Sequence, residues 1–127
     1  MSTQLMRGVS AQSDRFVHDL LPPQAQWPEL RYDLPELQLP DQLHLVHELL
    51  DRAANKGWGD RPMLRSPQLT LSYAKARERV DRIARVLTED LGLVPGNRVL
   101  LRGGNSIGMA LAWLAVVKAG LIAVATM

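Results

Sequence analysis

The sequence predicts an α/β fold in which an extended N-terminal strap and a helix precede a βαβ unit with parallel strands. Two observations carry this. From Arg98 onward a β-type run, a capped helical run and a second β-type run follow one another with very short loops. Strand, helix, strand at that spacing forms a right-handed crossover between parallel strands. Ahead of residue 42, Pro22, Pro23, Pro28, Pro35 and Pro40 each remove a backbone donor and push the preceding residue away from helix.

The strap, residues 1–41, is expected to be extended, with at most a short helix before Pro22. Leu20, Leu21, Trp27, Leu30, Tyr32, Leu34, Leu37 and Leu39 are too apolar for a free linker, so it should lie on something larger. Pro-Glu-Leu occurs at Pro28–Leu30 and Pro35–Leu37, but two short copies do not make a repeat fold. Residues 42–127 form the second region. A helix is expected over about Gln42–Lys56, with Asp41 as N-cap, Gly57 as stop, and Leu43, Val46, Leu49, Leu50 and Ala53 on its apolar face.

From Arg61 strands and helices alternate. Leu69–Leu71 is a short strand candidate. Ser72 can cap a helix to about Leu91 whose inner face is Tyr73, Ala76, Val80, Ile83, Ala84, Leu87 and Leu91. Gly92 ends it, and Pro95-Gly96-Asn97 makes a turn. Arg98–Arg102 reads as a strand. Gly103, Gly104 and Asn105 form a tight loop, Ser106 caps a helix to about Ala119, Gly120 stops it, and Leu121–Ala125 reads as another strand. That second helix is apolar nearly all round, so it should be buried on both sides. A parallel sheet is covered on both faces, so the polypeptide is expected to be the front part of something longer.

The 127 residues carry a net charge of +2 and no cysteine. A chain of this length can bury roughly two-thirds of its unfolded surface. Without cysteine there is no disulfide scaffold, thiolate metal site or cysteine nucleophile. A cytoplasmic location is the expectation. Residues 1–60 hold nine acidic and five basic side chains, and residues 61–127 four acidic and ten basic. Such asymmetry points to a nucleic-acid or membrane partner, or to compensating acids elsewhere in a longer protein. Met1–Leu20 lacks the apolar core of a secretory signal.

Several local patterns have both a chemical and a plain reading. The run Arg102-Gly103-Gly104-Asn105-Ser106-Ile107-Gly108 opens a helix, as a phosphate site would. It has neither the Lys-Ser/Thr of a Walker loop nor the spacing of the dinucleotide fingerprint, and a turn that needs glycine suffices. His44 and His47 lie near Glu48 and Asp51, but the H-E-x-x-H pattern lacks its second histidine, so partly exposed helix residues are preferred to a metal site. Lys75, Arg77, Arg79, Arg82 and Arg85 crowd one helix. Interleaved acids offer pairs such as Glu78–Arg82 and Asp81–Arg85, so a solvated, ion-paired face is preferred to a nucleic-acid surface. Ile107–Met127 has a single charge, Lys118. That charge costs about 3 kcal/mol in a membrane, and Lys118-Ala119-Gly120 reads as a helix end, so a buried helix and strand are preferred to an anchor. No Ser–His–Asp constellation or carboxylate pair can be argued from spacing.

Segments in order carry a resemblance. Leu71-Ser72-Tyr73 resembles the Leu-Thr/Ser-Tyr-x-Glu-Leu motif, with Lys75 and Ala76 departing from its end. Leu93–Val99 resembles Gly-x-x-Pro-Gly-Asp-Arg-Val, with Asn97 in place of Asp. Asn105-Ser106 matches an Asn-Ser/Thr pair, with Gly104 replacing the proline before it. Val117-Lys118-Ala119-Gly120 resembles Leu-Lys-Ala-Gly. Together these resemble the start of an adenylate-forming (AMP-binding) enzyme of the acyl-CoA synthetase type. Leu20–Pro23, Gln26–Leu30, Asp33–Leu37 and Gly120–Met127 narrow it to the lead-in of benzoate- and 2-aminobenzoate-CoA ligases.

The resemblance implies an N-terminal fragment, the incomplete start of the large N-terminal domain of such a ligase. In the family an aryl carboxylic acid attacks the α-phosphate of ATP, with magnesium, and coenzyme A thiol then displaces AMP. The phosphate-binding loop, Thr-Glu element, ribose aspartate and mobile-domain lysine of the family have no match here. No catalytic, cofactor-binding or metal-ligating residue is therefore assigned; ATP, Mg and CoA belong to the parent. Lys118 is expected to end a buried helix with its charge near the carbonyl terminus. The fragment alone is expected to be inactive, with no nucleic-acid or membrane partner. Two alternatives stay open: a standalone interaction module that associates through its last strand or apolar helix, and a basic nucleic-acid binder.

Overall fold

The computed structural model describes residues 10–126 apart from residues 30 and 41. The strap contains helix α1 (Phe16–Asp19) and single 3₁₀ turns at Gln24–Gln26 and Pro35–Leu37. The short helix before Pro22 is thus present, and the second Pro-Glu-Leu is itself a turn. Trp27 Nε1 donates to the Pro22 carbonyl at 2.7 Å, closing a loop that two prolines cannot close with their own backbone donors.

A helical segment spans 45–58, including wide π-type turns at His47–Asp51 and Ala54–Trp58. It begins later than the expected Gln42. The expected cap Asp41 lies outside the described residues, and the side chain that caps this start is His44, whose Nδ1 accepts from the His47 N–H at 3.3 Å. Val46, Leu50 and Ala53 are buried, while Leu43 and Leu49 are exposed. The expected apolar face is therefore narrower than its sequence pattern. Gly57 adopts φ +83°, the left-handed conformation that glycine tolerates.

Strands β1 (Pro62–Arg65) and β2 (Thr70–Ser72) pair antiparallel, with Leu64 opposite Leu71 and an irregularity between Pro62 and Leu64. β1 has no counterpart in the sequence reading. Its four residues begin with proline and end with arginine, too short for an alternation to show.

Ser72 ends β2 and caps α2 (Tyr73–Arg85), its Oγ accepting from the Lys75 N–H at 3.3 Å. The helix then widens into a π-type turn, Val86–Asp90, rather than running regularly to Leu91. Thr88 Oγ1 bonds back to the Ala84 carbonyl at 3.1 Å, and such a hydroxyl competes with the helical ladder. Ala76 and Val80 are buried, but Leu91, expected on the inner face, is 62% exposed.

β3 (Arg98–Arg102) and β4 (Ile122–Thr126) pair in parallel, with Leu100 opposite Val124, and α3 (Ile107–Lys118) connects them. The predicted βαβ unit is present. Ser106 Oγ caps α3 by accepting from the Met109 N–H at 3.1 Å. At the other end the Gly120 N–H reaches the Val117 carbonyl and the Leu121 N–H reaches Val116, both at 3.0 Å, with Gly120 at φ +73°. That is the double-bonded glycine stop of a Schellman motif. The core joins these layers: Val46, Leu50, Leu71, Ala76, Val80, Leu111, Leu114 and Ala115 form one buried cluster. α3 lies against both parallel strands, while Leu100, 67% exposed, and Val124 face outward.

Candidate functional site

The lysine of the Val117-Lys118-Ala119-Gly120 motif sits where three helical elements meet. Because α3 is apolar around most of its circumference, its last residue is left partly buried with its charge, the side chain 21% exposed. Lys118 Nζ lies 2.9 Å and 3.0 Å from the two carboxylate oxygens of Asp51 and 2.5 Å from Asp81 Oδ1. Burial pulls its pKa down, but hydrogen bonds and charges from Asp81 and Asp51 outweigh this and leave it above the ordinary lysine value. The ammonium is held charged, bonded to acids from the 45–58 segment and α2.

Lys118 is the last residue of α3, as expected, and its charge is in addition matched to two carboxylates from neighbouring elements. The carbonyl terminus is met by His44, whose Nε2 is 3.1 Å from the Lys118 carbonyl oxygen. His47 Nδ1 is 3.5 Å from Asp51 Oδ2. The two histidines thus serve the same junction from different sides. Among the described residues no group of three or more His, Asp or Glu side chains is placed to hold a metal ion.

The partners of Lys118 are what the sequence reading missed. A lysine on an otherwise apolar helix needs a counter-charge. Asp51 follows buried Leu50 and Asp81 follows buried Val80, so each borders an inward face. The expected Asp81–Arg85 pair is replaced by Asp81–Lys118. Arg85 instead takes both carboxylate oxygens of Glu89, at 3.1 and 3.2 Å. The Glu78–Arg82 pair is present at 2.6 Å, and Lys75 also reaches Glu78 at 3.2 Å. The basic stripe of α2 carries its own acids.

The glycine loop before α3 was the other place of chemical interest. Several of its polar groups serve the fold itself. The Gly103 N–H donates to the Thr126 carbonyl, Ser106 Oγ takes the Met109 N–H, and the Ser106 carbonyl takes the Ala110 N–H. A Cβ on Gly103 would meet only the flexible end of Met109, at 3.0 Å from its Cε. No helix among the described residues is long and apolar enough to cross a membrane.

A second polar junction ties the strap to the body. Asp14 Oδ2 accepts from Asn97 Nδ2 at 2.8 Å and from Arg98 Nη1, and the Asp14 N–H donates to the Pro95 carbonyl at 2.9 Å. The turn it grips also carries the sheet: the Gly96 N–H donates to Gly120, and the Ile122 N–H to Asn97, both at 2.9 Å. The Pro95-Gly96-Asn97 turn thus joins the strap, the end of α3 and the start of both parallel strands.

Comparison with known proteins gives these junctions a family. Over 74 residues, 58% of this chain and 12% of the relative, the sequence is 43% identical to the salicyl-AMP ligase / salicyl-S-ArCP synthetase of Mycobacterium tuberculosis (strain ATCC 25618 / H37Rv). The crystal structure of apo MatB from Rhodopseudomonas palustris is similar over 65% of this chain and 16% of its own, with TM-score 0.59 and 26% identity. The anthranilate CoA ligase AuaEII in complex with anthranoyl-AMP covers 74% of this chain and 18% of its own, with TM-score 0.66. At 21% identity that likeness speaks for the fold. The chain spans between 12% and 18% of the length of these proteins. The model of the AMP-binding enzyme family matches residues 50–127, which is more than half of the chain and takes in Asp51, Asp81 and Lys118; the chain belongs to that family of adenylate-forming ligases.

Proposed function

We propose that residues 1–127 are the opening of an ATP-dependent, AMP-forming aryl-acid ligase of the benzoate or 2-aminobenzoate type, with coenzyme A as thiol acceptor. In this reading residues 1–41 are the strap and 42–127 begin the nucleotide-binding domain. The carrying observation is the family match over 50–127. The motif segments fall within it at structural joints: Leu71–Tyr73 where β2 becomes α2, Leu93–Val99 at the turn into β3, and Val117–Gly120 at the end of α3. The acid, ATP, magnesium and coenzyme A bind to parts of the enzyme beyond these residues, which form a scaffold and supply no reacting group. The enzyme works in the cytoplasm.

The test begins with the source DNA beyond codon 127. The encoded polypeptide is assayed for pyrophosphate release with benzoate, 2-aminobenzoate and salicylate, with and without coenzyme A, beside the 127-residue chain. Aryl-acid-dependent AMP formation and a CoA thioester from the longer polypeptide are expected, with neither from the shorter one. Thioester formation by the 127 residues alone would overturn the scaffold reading. Adenylate formation with transfer only to a carrier-protein thiol would replace coenzyme A as acceptor. A stop codon at that point would favour an interaction module using the exposed face of Leu100 and Val124, with concentration-dependent light scattering as its signature.

A further inference from the structure

The corner where the Ala54–Trp58 turn, β1 and the start of α2 meet has a different charge balance from the rest of the body. On α2, Lys75 and Arg82 share Glu78, and Arg85 has Glu89. Arg52 has Glu48, and Lys118 has Asp51 and Asp81. Between residues 54 and 65, by contrast, Lys56, Arg61 and Arg65 face a single acid in the sequence, Asp60. Among the described residues Arg61 and Arg77 have no acid partner, and Asp60 pairs with neither of them.

Arg61 is nevertheless held in place. Its guanidinium lies 5.1 Å from the centre of the Trp58 ring, within cation–π range. The Trp58 ring meets that of Tyr73 edge-on, with centroids 6.3 Å apart. Backbone bonds fix the frame beneath. The Arg61 N–H donates to the Trp58 carbonyl at 2.9 Å, the Tyr73 N–H to the Arg61 carbonyl at 3.1 Å, and the Ala74 N–H to the Gly59 carbonyl at 2.9 Å. Arg77, one helical turn beyond Tyr73, reaches only the Asn55 amide oxygen, with Nη1 at 3.5 Å. Asn55 and Trp58 share one turn, so both arginines belong to the same corner.

A guanidinium that lies on a ring spends its flat face and keeps its N–H edge, a rigid fork matched to a carboxylate. The two aromatic rings are engaged with Arg61 and with each other. Nucleic-acid bases are instead received on open stacking platforms along a basic groove. Few cations, pre-set as forks and unmatched by local acids, complement a carboxylate-bearing surface.

We propose that Trp58, Arg61, Tyr73 and Arg77 form a docking surface for an acidic segment of a partner protein, with Arg61 and Arg77 taking its carboxylates edge-on. The surface is separate from the Lys118 junction and does not depend on the ligase reading.

The test is titration of the full chain with a short oligoglutamate peptide, with oligoglutamine as the neutral control and a single-stranded oligonucleotide of equal charge as the competing class. Binding is followed by the Trp58 indole N–H and Arg61 side-chain N–H resonances. Oligoglutamate should shift both saturably, and oligoglutamine should shift neither. Arg61→Gln and Arg77→Gln should each raise Kd at least about fivefold, the scale of one exposed ion pair. Arg61→Lys should weaken binding nearly as much, because it keeps the charge and loses the stacked fork. Arg82→Gln, whose parent side chain is already paired with Glu78, should leave Kd unchanged. Equal weakening by Arg82→Gln would mean diffuse charge attraction and overturn the surface. Full affinity in Arg61→Lys, no saturable shift with oligoglutamate, or tighter binding of the oligonucleotide at these resonances would overturn it as well.

Discussion

Leu50, Val46, Val80 and Val116 have almost no contact with water, whereas Leu20, Leu34 and Leu39 in the strap are each more than half exposed. The two regions are comparably rich in leucine, yet among the described residues only the body buries it. Helical periodicity lets the 45–58 segment, α2 and α3 present apolar stripes to one another, and burial then stabilises them together. The prolines of the strap prevent such a stripe, and Asp14 fastens it to the body through directional bonds to Asn97 and Arg98. Damage to the body should spread, and damage to the strap should stay where it is made.

The largest effect is expected from Leu50→Ala, at the centre of the buried cluster. It should cost about 2–5 kcal/mol, read from the urea midpoint of the whole chain; a loss below about 1 kcal/mol would mean the layers do not share one core. Lys118→Met comes next. It leaves the Asp51 and Asp81 carboxylates facing one another, and about 1–3 kcal/mol should be lost. Because the Lys118 pKa is raised in the fold, its contribution is present below the ordinary lysine value and is lost as pH rises through the raised one. An alkaline unfolding titration should therefore show a stability loss above the usual lysine range that Lys118→Met abolishes.

At the strap the sign is opposite. The Phe16 N–H, then the Asn97 amide and Arg98, hold the Asp14 carboxyl below the usual carboxylate range. Its contribution is present above the ordinary aspartate value and is lost as pH falls through the lowered one. The Asn97 side-chain amide resonance should shift in that acid range while core methyl resonances of the body stay in place; simultaneous collapse of both would erase the distinction between the regions. Arg82→Ala marks the lower limit. Its pair with Glu78 is well exposed, and the change should stay within about 0.5 kcal/mol by thermal melting.

The parallel unit was legible because its signals are local: Ser106 before an apolar run, Gly120 after it, and β-type runs on either side. The family resemblance was legible for a related reason, since its motif segments mark the joints where the chain changes element. Partnerships across long sequence separations were not. Spacing offers Arg85 as the partner of Asp81, and only its place beside inward-facing Val80 hints at Lys118 instead. Likewise Asn97 reads as a lone departure from an Asp-containing pattern until Asp14, more than eighty residues earlier, is placed against it. The strand Pro62–Arg65 escaped because only pairing with Thr70–Ser72 makes those residues a strand.

The His44 ring spans two helix ends of opposite polarity, and this fixes where its proton resides. The Lys118 carbonyl can only accept, so Nε2 carries the hydrogen; the His47 N–H can only donate, so Nδ1 presents its lone pair. A nitrogen-15 spectrum of the neutral ring should show a single tautomer with a protonated Nε2, and an averaged signal would mean that the two helix ends have parted.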